Sequence, residues 1–141
     1  MTNVDNAIGS CLCSAVKIKV LKMSNSVGAC HCSICRKWTG GPFLAVDCGN
    51  SVQLTGDENI STFNSSEWAE RGFCNKCGTH LFYKLKQTGQ YIMSAGIFED
   101  SADLNFDHQI FIDEKPAYYD FSNNTKNMTG EQVFAQFTSS T

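Results

Sequence analysis

Cysteine spacing constrains this chain more than any other feature. Seven of the eight cysteines fall into three short groups: Cys11-Leu12-Cys13, Cys30-His31-Cys32-Ser33-Ile34-Cys35, and Cys74-Asn75-Lys76-Cys77 with Gly78 directly after; Cys48 stands alone. Eight cysteines in 141 residues is sparse for a disulfide scaffold, where cysteine exceeds ~8–10% of the chain. Met1 to Gly9 has neither a basic start nor an apolar run of the kind that marks a secretory leader. The chain is therefore expected in the cytoplasm, where paired cysteines serve metal or redox chemistry.

The CxxC-Gly unit has a physical logic. Two residues between the cysteines let the chain turn so that both sulfurs face one point, and backbone N–H groups of the turn ease their charge. Gly78 permits a positive φ just past the second sulfur. Structural zinc takes four ligands in a tetrahedron, so a second cysteine pair must come from elsewhere. Joining residues 11–13 to 74–77 would staple distant parts of one domain. A tetrathiolate ion carries net negative charge, which the nearby Arg71 and Lys76 are placed in sequence to offset. The competing reading of a CxxC is a redox dithiol at the start of a helix. Here the strand pattern Leu81 to Leu85 follows instead.

The triplet offers three thiolates within six residues. Alone it would leave zinc one open position, the mark of a catalytic site. Closed by a fourth protein ligand it would be a second structural site, with Cys48 and His31 as the candidates. Cys48 borders the apolar run Phe43 to Val46 and reads more simply as core. His31, lying between two ligands, is better placed to hydrogen-bond a substrate.

The chain reads as one unit, with loose ends at Met1 to Ala7 and Thr138 to Thr141. Strand patterns dominate: Val16, Ile18 and Val20 alternate with lysines, Phe43 to Val46 is a short apolar run, and Val52 to Thr55 follows a Gly-Asn turn. Leu81 to Lys86 and Tyr91 to Ala95 flank a turn at Gln87 to Gly89, predicting a hairpin. Gln109 to Ile112 is a further strand, and His108 looks like its start. Helix is predicted only around Cys35 to Trp38 and after the cap Thr129, where Val133, Phe134 and Phe137 share a face. This predicts a mainly β fold with short helices. With a net charge of −3 and no basic stretch, no nucleic-acid partner is suggested. No apolar run reaches the ~18 residues of a membrane span.

Taken in order, Gly9-Ser10-Cys11-Leu12-Cys13, Cys30-His31-Cys32-Ser33-Ile34-Cys35-Arg36 and Arg71-Gly72-Phe73-Cys74-Asn75-Lys76-Cys77-Gly78 resemble the glutathione-dependent formaldehyde-activating enzyme family. Its domain is also found in centromere protein V. The resemblance runs from about Gly9 to about Tyr119. It implies an Mss4-like fold of twisted antiparallel sheets with two zinc ions per chain. One would be structural, on Cys11, Cys13, Cys74 and Cys77; the other would be catalytic, on Cys30, Cys32 and Cys35. It also implies a carbon–sulfur lyase that joins a small thiol, glutathione or similar, to an aldehyde, as in S-hydroxymethylglutathione formation. The zinc domain would span residues 8–121, with a C-terminal extension at 122–141 whose short helix packs on it. Ser14 stands where the family often has Gly, Tyr118 and Tyr119 stand where it often has Trp, and Cys48 lies outside the pattern.

On this reading Arg36, and less directly Lys37, would hold a substrate carboxylate, and Trp38 would form an apolar wall. Glu67, Glu70, His80 and His108 receive no catalytic role, and His80 reads as a hydrogen-bonded structural histidine. Two alternatives stand beside the enzyme: a non-catalytic zinc-stabilised binding module, and a thiol redox sensor built on the triplet.

Overall fold

The structure, a computed structural model, describes residues 3–100 and 102–139, with the side chains of 137–139 left aside; Phe137 and the expected loose end at 138–141 fall largely outside this description. In chain order the elements are β1 (Asn3–Ser10), β2 (Lys17–Ser24), β3 (Ser26–Cys30), α1 (Ser33–Thr39), β4 (Phe43–Gly49), β5 (Val52–Thr55), β6 (Ile60–Asn64), β7 (Ala69–Cys74), β8 (His80–Leu85), β9 (Tyr91–Ser94), β10 (Asn105–Ile110), β11 (Lys126–Asn127) and α2 (Gly130–Ser139). The fold is mainly β with two short helices, as the sequence predicts.

β1, β2 and β5 form a three-stranded sheet; the others form an eight-stranded sheet in the order β11-β10-β3-β4-β9-β8-β7-β6. Pairing is antiparallel except at β10, which runs parallel to both β3 and β11. The predicted hairpin forms between β8 and β9.

Alternation along the larger sheet separates two cores. Phe82 faces Met93 across the β8–β9 pair, and Tyr83 faces Ile92 one residue on. Phe82 and Met93 join Ile18, Val20, Met23, Val46, Cys48 and Cys74 in the larger core, which ties the two sheets together. Tyr83 and Ile92 pack on the opposite face against Cys35, Phe43, Ala45 and Trp38. Gly72 is required where β7 meets β8, because a Cβ there would lie 2.2 Å from the Phe82 ring.

Three sequence expectations are corrected. The stretch Met1 to Ala7, expected to be loose, holds most of β1, which pairs with β2 from Asn3 opposite Ser24 to Ser10 opposite Lys17. Its polar composition hides a backbone ladder and a buried Ala7. The last predicted strand begins earlier and stops at Ile110, because Phe111 turns into the left-handed region at φ 54. That turn sends the Phe111 ring towards α2, where it meets Phe134 at 5.7 Å between centroids. His108 accordingly lies inside β10 and not at its start.

Candidate metal centres

The first cluster joins two turns. Cys11 and Cys13 lie just past β1, where Ser14 N–H donates to the Cys11 carbonyl at 3.1 Å and Ser14 takes φ 66. Cys74 ends β7, and Gly78 N–H closes the CxxC turn on the Cys74 carbonyl at 2.8 Å with the predicted positive φ, 81. Thr79 ties the two turns together: its Oγ1 accepts from Leu12 N–H at 3.0 Å and lies 3.1 Å from Cys77 Sγ. The four sulfurs lie within 4.8 Å of one another. Cys11 to Cys13 is 3.6 Å and Cys13 to Cys74 is 3.8 Å. A tetrahedron with metal–sulfur bonds of ~2.3 Å has edges of about 3.8 Å, so this cluster fits a tetrathiolate ion. Val16 N–H donates to Cys11 Sγ at 3.3 Å. The Thr79 hydroxyl holds the Cys77 thiol down at about 5, which favours the thiolate that binds metal.

The second cluster sits where β3 passes into α1. Cys30 ends the strand, Cys32 caps the helix by accepting from Cys35 N–H at 3.4 Å, and Cys35 follows in the first turn. Gly40, at φ 87, ends the helix by donating to the Arg36 carbonyl at 2.8 Å. The three sulfurs lie within 4.8 Å of one another, and no fourth cysteine, histidine or carboxylate among the described residues joins them. Hydrogen bonding to Cys32 and Cys35, reinforced by burial, pushes the Cys30 thiol far up. Three sulfurs this close ionise together only beside a cation, which is what a divalent metal supplies.

Arg71 supplies a second cation. Its Nη1 and Nη2 each lie 3.5 Å from Cys35 Sγ. The sequence reading set Arg71 beside the four-cysteine cluster, and the structure corrects this. Strand alternation turns residues 71 and 74 to opposite faces of β7, so Arg71 reaches the triplet while Cys74 enters the other cluster. Lys76 is exposed. Neither Arg71's role nor that of Thr79 is visible in the spacing of the cysteines.

His31 turns away from the sulfurs. It is fully buried, its Nδ1 is 2.7 Å from Tyr119 Oη, and its Nε2 is 2.8 Å from Gln109 Oε1. Gln109 in turn donates to Thr125 at 2.9 Å. Burial lowers the His31 pKa, so the ring is neutral. It donates from Nε2 to Gln109 and accepts at Nδ1 from the tyrosine hydroxyl. Tyr119 thus partners the histidine inside the triplet. Cys48 lies in the other core, where burial pushes its thiol up to about 12.

A cavity of about 320 Å³ is lined by Ile34, Lys37, Trp38, Phe63, Ser65 and Arg71; none of the three sulfurs lines it, and Arg71 links it to Cys35. Trp38 thus lies at the cavity, with its ring stacked on His80 at 4.6 Å and edge-on to Phe43 at 5.4 Å. Burial lowers the His80 pKa; its ring packs against Trp38 and makes no described side-chain hydrogen bond. Arg36 does not line the cavity: its Nε donates to the His31 carbonyl at 2.9 Å. Glu67, Glu70 and His108 join neither cluster. His108 meets Asp107 and Ser26 through the same nitrogen, Nδ1, so these three do not form the serial relay of a serine nucleophile.

A family model described as glutathione-dependent formaldehyde-activating enzyme matches residues 6–114. A Schizosaccharomyces pombe protein named as an uncharacterized lyase is 36% identical over 126 residues, which is 89% of this chain and 92% of that protein. A Rhodobacter sphaeroides protein of known crystal structure superposes with a TM-score of 0.57 at 24% identity, over 65% of this chain and 87% of its own. That likeness speaks to the fold.

Proposed function

The chain belongs to the glutathione-dependent formaldehyde-activating enzyme family, and we propose that it is a zinc-dependent carbon–sulfur lyase acting on the adduct of a thiol and an aldehyde. Glutathione and formaldehyde, giving S-hydroxymethylglutathione, are the model pair. The observation that carries this reading is the contrast in donor number: four sulfurs close one site, whereas the triplet gathers three with no fourth described donor.

In this reading Cys11, Cys13, Cys74 and Cys77 hold a structural zinc, and Cys30, Cys32 and Cys35 hold a catalytic one. Such an ion supplies an exchangeable position that favours the nucleophilic form of a thiol and polarises a carbonyl. The reaction forms one bond between the thiol sulfur and the carbonyl carbon. The thiol proton passes to the carbonyl oxygen, and no oxidant is consumed. Trp38, Ile34 and Phe63 give the cavity an apolar lining for the reacting pair. Lys37 at the cavity pairs with a substrate carboxylate, and Arg36, engaged through Nε, contributes through its terminal nitrogens. The zinc domain spans residues 8–121, extended by 122–141. All eight cysteines are free, which suits a reducing cytoplasm.

The binding-module alternative drew on Cys48 to close the second site. Cys48 belongs to the larger core, and its thiol lies 3.7 Å from the Val46 carbonyl. The deciding experiment is thiol–aldehyde adduct formation by the zinc-loaded chain and by Cys32→Ser. Acceleration lost in Cys32→Ser supports the enzyme. A two-zinc chain that accelerates no thiol–aldehyde pair overturns it.

A further inference from the structure

A buried guanidinium needs an anion, and Arg71 has no carboxylate partner among the described residues. It is 4% exposed. The ion pairs among the described residues are His108–Asp107 and Lys115–Asp120, neither of which involves it. Its Nε donates to Ser65 Oγ at 3.1 Å, and its planar faces meet the Trp38 and Tyr83 rings, each 5.0 Å from the guanidinium carbon. Aromatic faces attract a cation without neutralising it, and a hydroxyl carries no charge. What remains is Cys35 Sγ, 3.5 Å from both terminal nitrogens. A fork aimed at one atom is charge-assisted recognition when that atom is a thiolate. Against a neutral thiol it would leave a buried charge uncompensated.

We propose that Arg71 is the counter-ion of the three-cysteine site. This rests on the reading of that site as metal-binding. Three thiolates and a divalent ion leave one negative charge, and the guanidinium cancels it. The four-cysteine site would keep two negative charges, but its Cys13 is exposed and its Cys77 half-buried, so water disperses them. In the triplet no cysteine is exposed, and Cys35, the one that Arg71 touches, is buried, so its charge takes its balance from the fold. A site at zero net charge can accept one anionic thiolate, where a site already negative would repel it. Arg71 also lines the cavity, so the balancing charge lies where a substrate enters. It is a positioning residue acting through Cys35, and it selects a thiolate as the exogenous partner.

The test uses the full chain, zinc or cobalt(II), and a competing chelator that reads each site's affinity, with Cys32→Ser identifying the triplet's share. Arg71→Gln is expected to keep the first ion at parental affinity and to bind the second at least ~10-fold more weakly; Arg71→Lys, which keeps the charge and loses the fork, recovers part of that loss. The cobalt–thiolate charge-transfer band of the second site should shift in Arg71→Gln and not in variants distant from Cys35. If Arg71→Gln does not fold, Arg71→Lys and Arg71→Met decide. Lysine holding the second ion while methionine loses it supports the counter-ion, and equal behaviour overturns it. A parent chain that takes up one ion only overturns the reading of the triplet as a metal site. A parent with two ions, indistinguishable from Arg71→Gln, overturns the role of Arg71 alone.

Discussion

The four-cysteine cluster draws its sulfurs from two turns, and 61 residues separate Cys13 from Cys74. The three-cysteine cluster draws all of its sulfurs from the end of β3 and the first turn of α1. A metal in the first closes a long loop and joins the two sheets' ends, so metal binding and folding are one equilibrium there. A metal in the second closes almost no loop, because β3, the Cys32 cap and α1 already set the sulfurs. The surroundings differ in the same sense. Backbone N–H groups, Thr79 and water ease the first cluster's charge, while a buried arginine does so for the second. On the proposed reading, donors spread along the chain hold the fold, whereas donors gathered on one segment are left to do chemistry.

The largest effect that would test this contrast is Cys74→Ser. Cys74 is fully buried and serves both the cluster and the larger core. Apparent zinc binding energies at such sites are of order 10 kcal/mol, comparable with the ~5–15 kcal/mol that hold a whole domain. The variant should be unfolded at room temperature by circular dichroism, with or without added zinc. A cooperative melt at the parental temperature would remove the staple.

Cys32→Ser should behave oppositely. Serine is a good N-cap, so α1 keeps the bond that Cys32 Sγ now accepts from Cys35 N–H. Stability should fall by no more than ~1–2 kcal/mol while one metal ion per chain is lost, read by melting and by metal analysis of the same sample. If Cys32→Ser unfolds as Cys74→Ser does, the two clusters do not differ in role.

The cysteine groups, the CxxC turn and the β8–β9 hairpin were legible because each is written in adjacent residues: sulfurs at fixed spacing, a glycine at positive φ, apolar residues in alternation. β1 and β7 were not, since Asn3 to Asp5 and Glu70-Arg71-Gly72 lack that alternation and owe their strands to neighbours elsewhere in the chain. Sequence proximity sets Arg71 with the wrong cluster, because neighbours in the chain are not neighbours in space. Its parity relative to Cys74 held the correction, but only once β7 was known to be a strand. The spacing leaves His31 able to hydrogen-bond a substrate, because the side that a residue between two ligands faces depends on β10, which brings Gln109 beside it.

A middling effect is expected at that histidine. Tyr119→Phe removes the hydroxyl that donates to His31 Nδ1 and leaves a buried acceptor unpaired. The cost should be ~1–3 kcal/mol. Because His31 lies between Cys30 and Cys32, the second ion should also leave faster during chelation, with the first unchanged. Equal release of both ions would show that Tyr119 supports the whole fold and not the triplet in particular.

The smallest effect lies in the other cluster. Ser14 is exposed and takes φ 66 in the turn that presents Cys11 and Cys13. The left-handed region costs a non-glycine residue ~1–2 kcal/mol. Glycine removes that cost but loses ~0.5–1 kcal/mol through its freer unfolded chain. Ser14→Gly should therefore stabilise the metal-loaded chain by about 0.5 kcal/mol, raising its melting temperature by about 1–2 °C. The gain should appear only with the four-cysteine site loaded, since the turn's geometry matters only while Cys11 and Cys13 are held together, and it should leave the triplet's metal affinity unchanged. A gain of the same size after complete metal removal would mean that this turn is fixed by β1 and β2 alone, and the staple would then begin at Cys74 and Cys77.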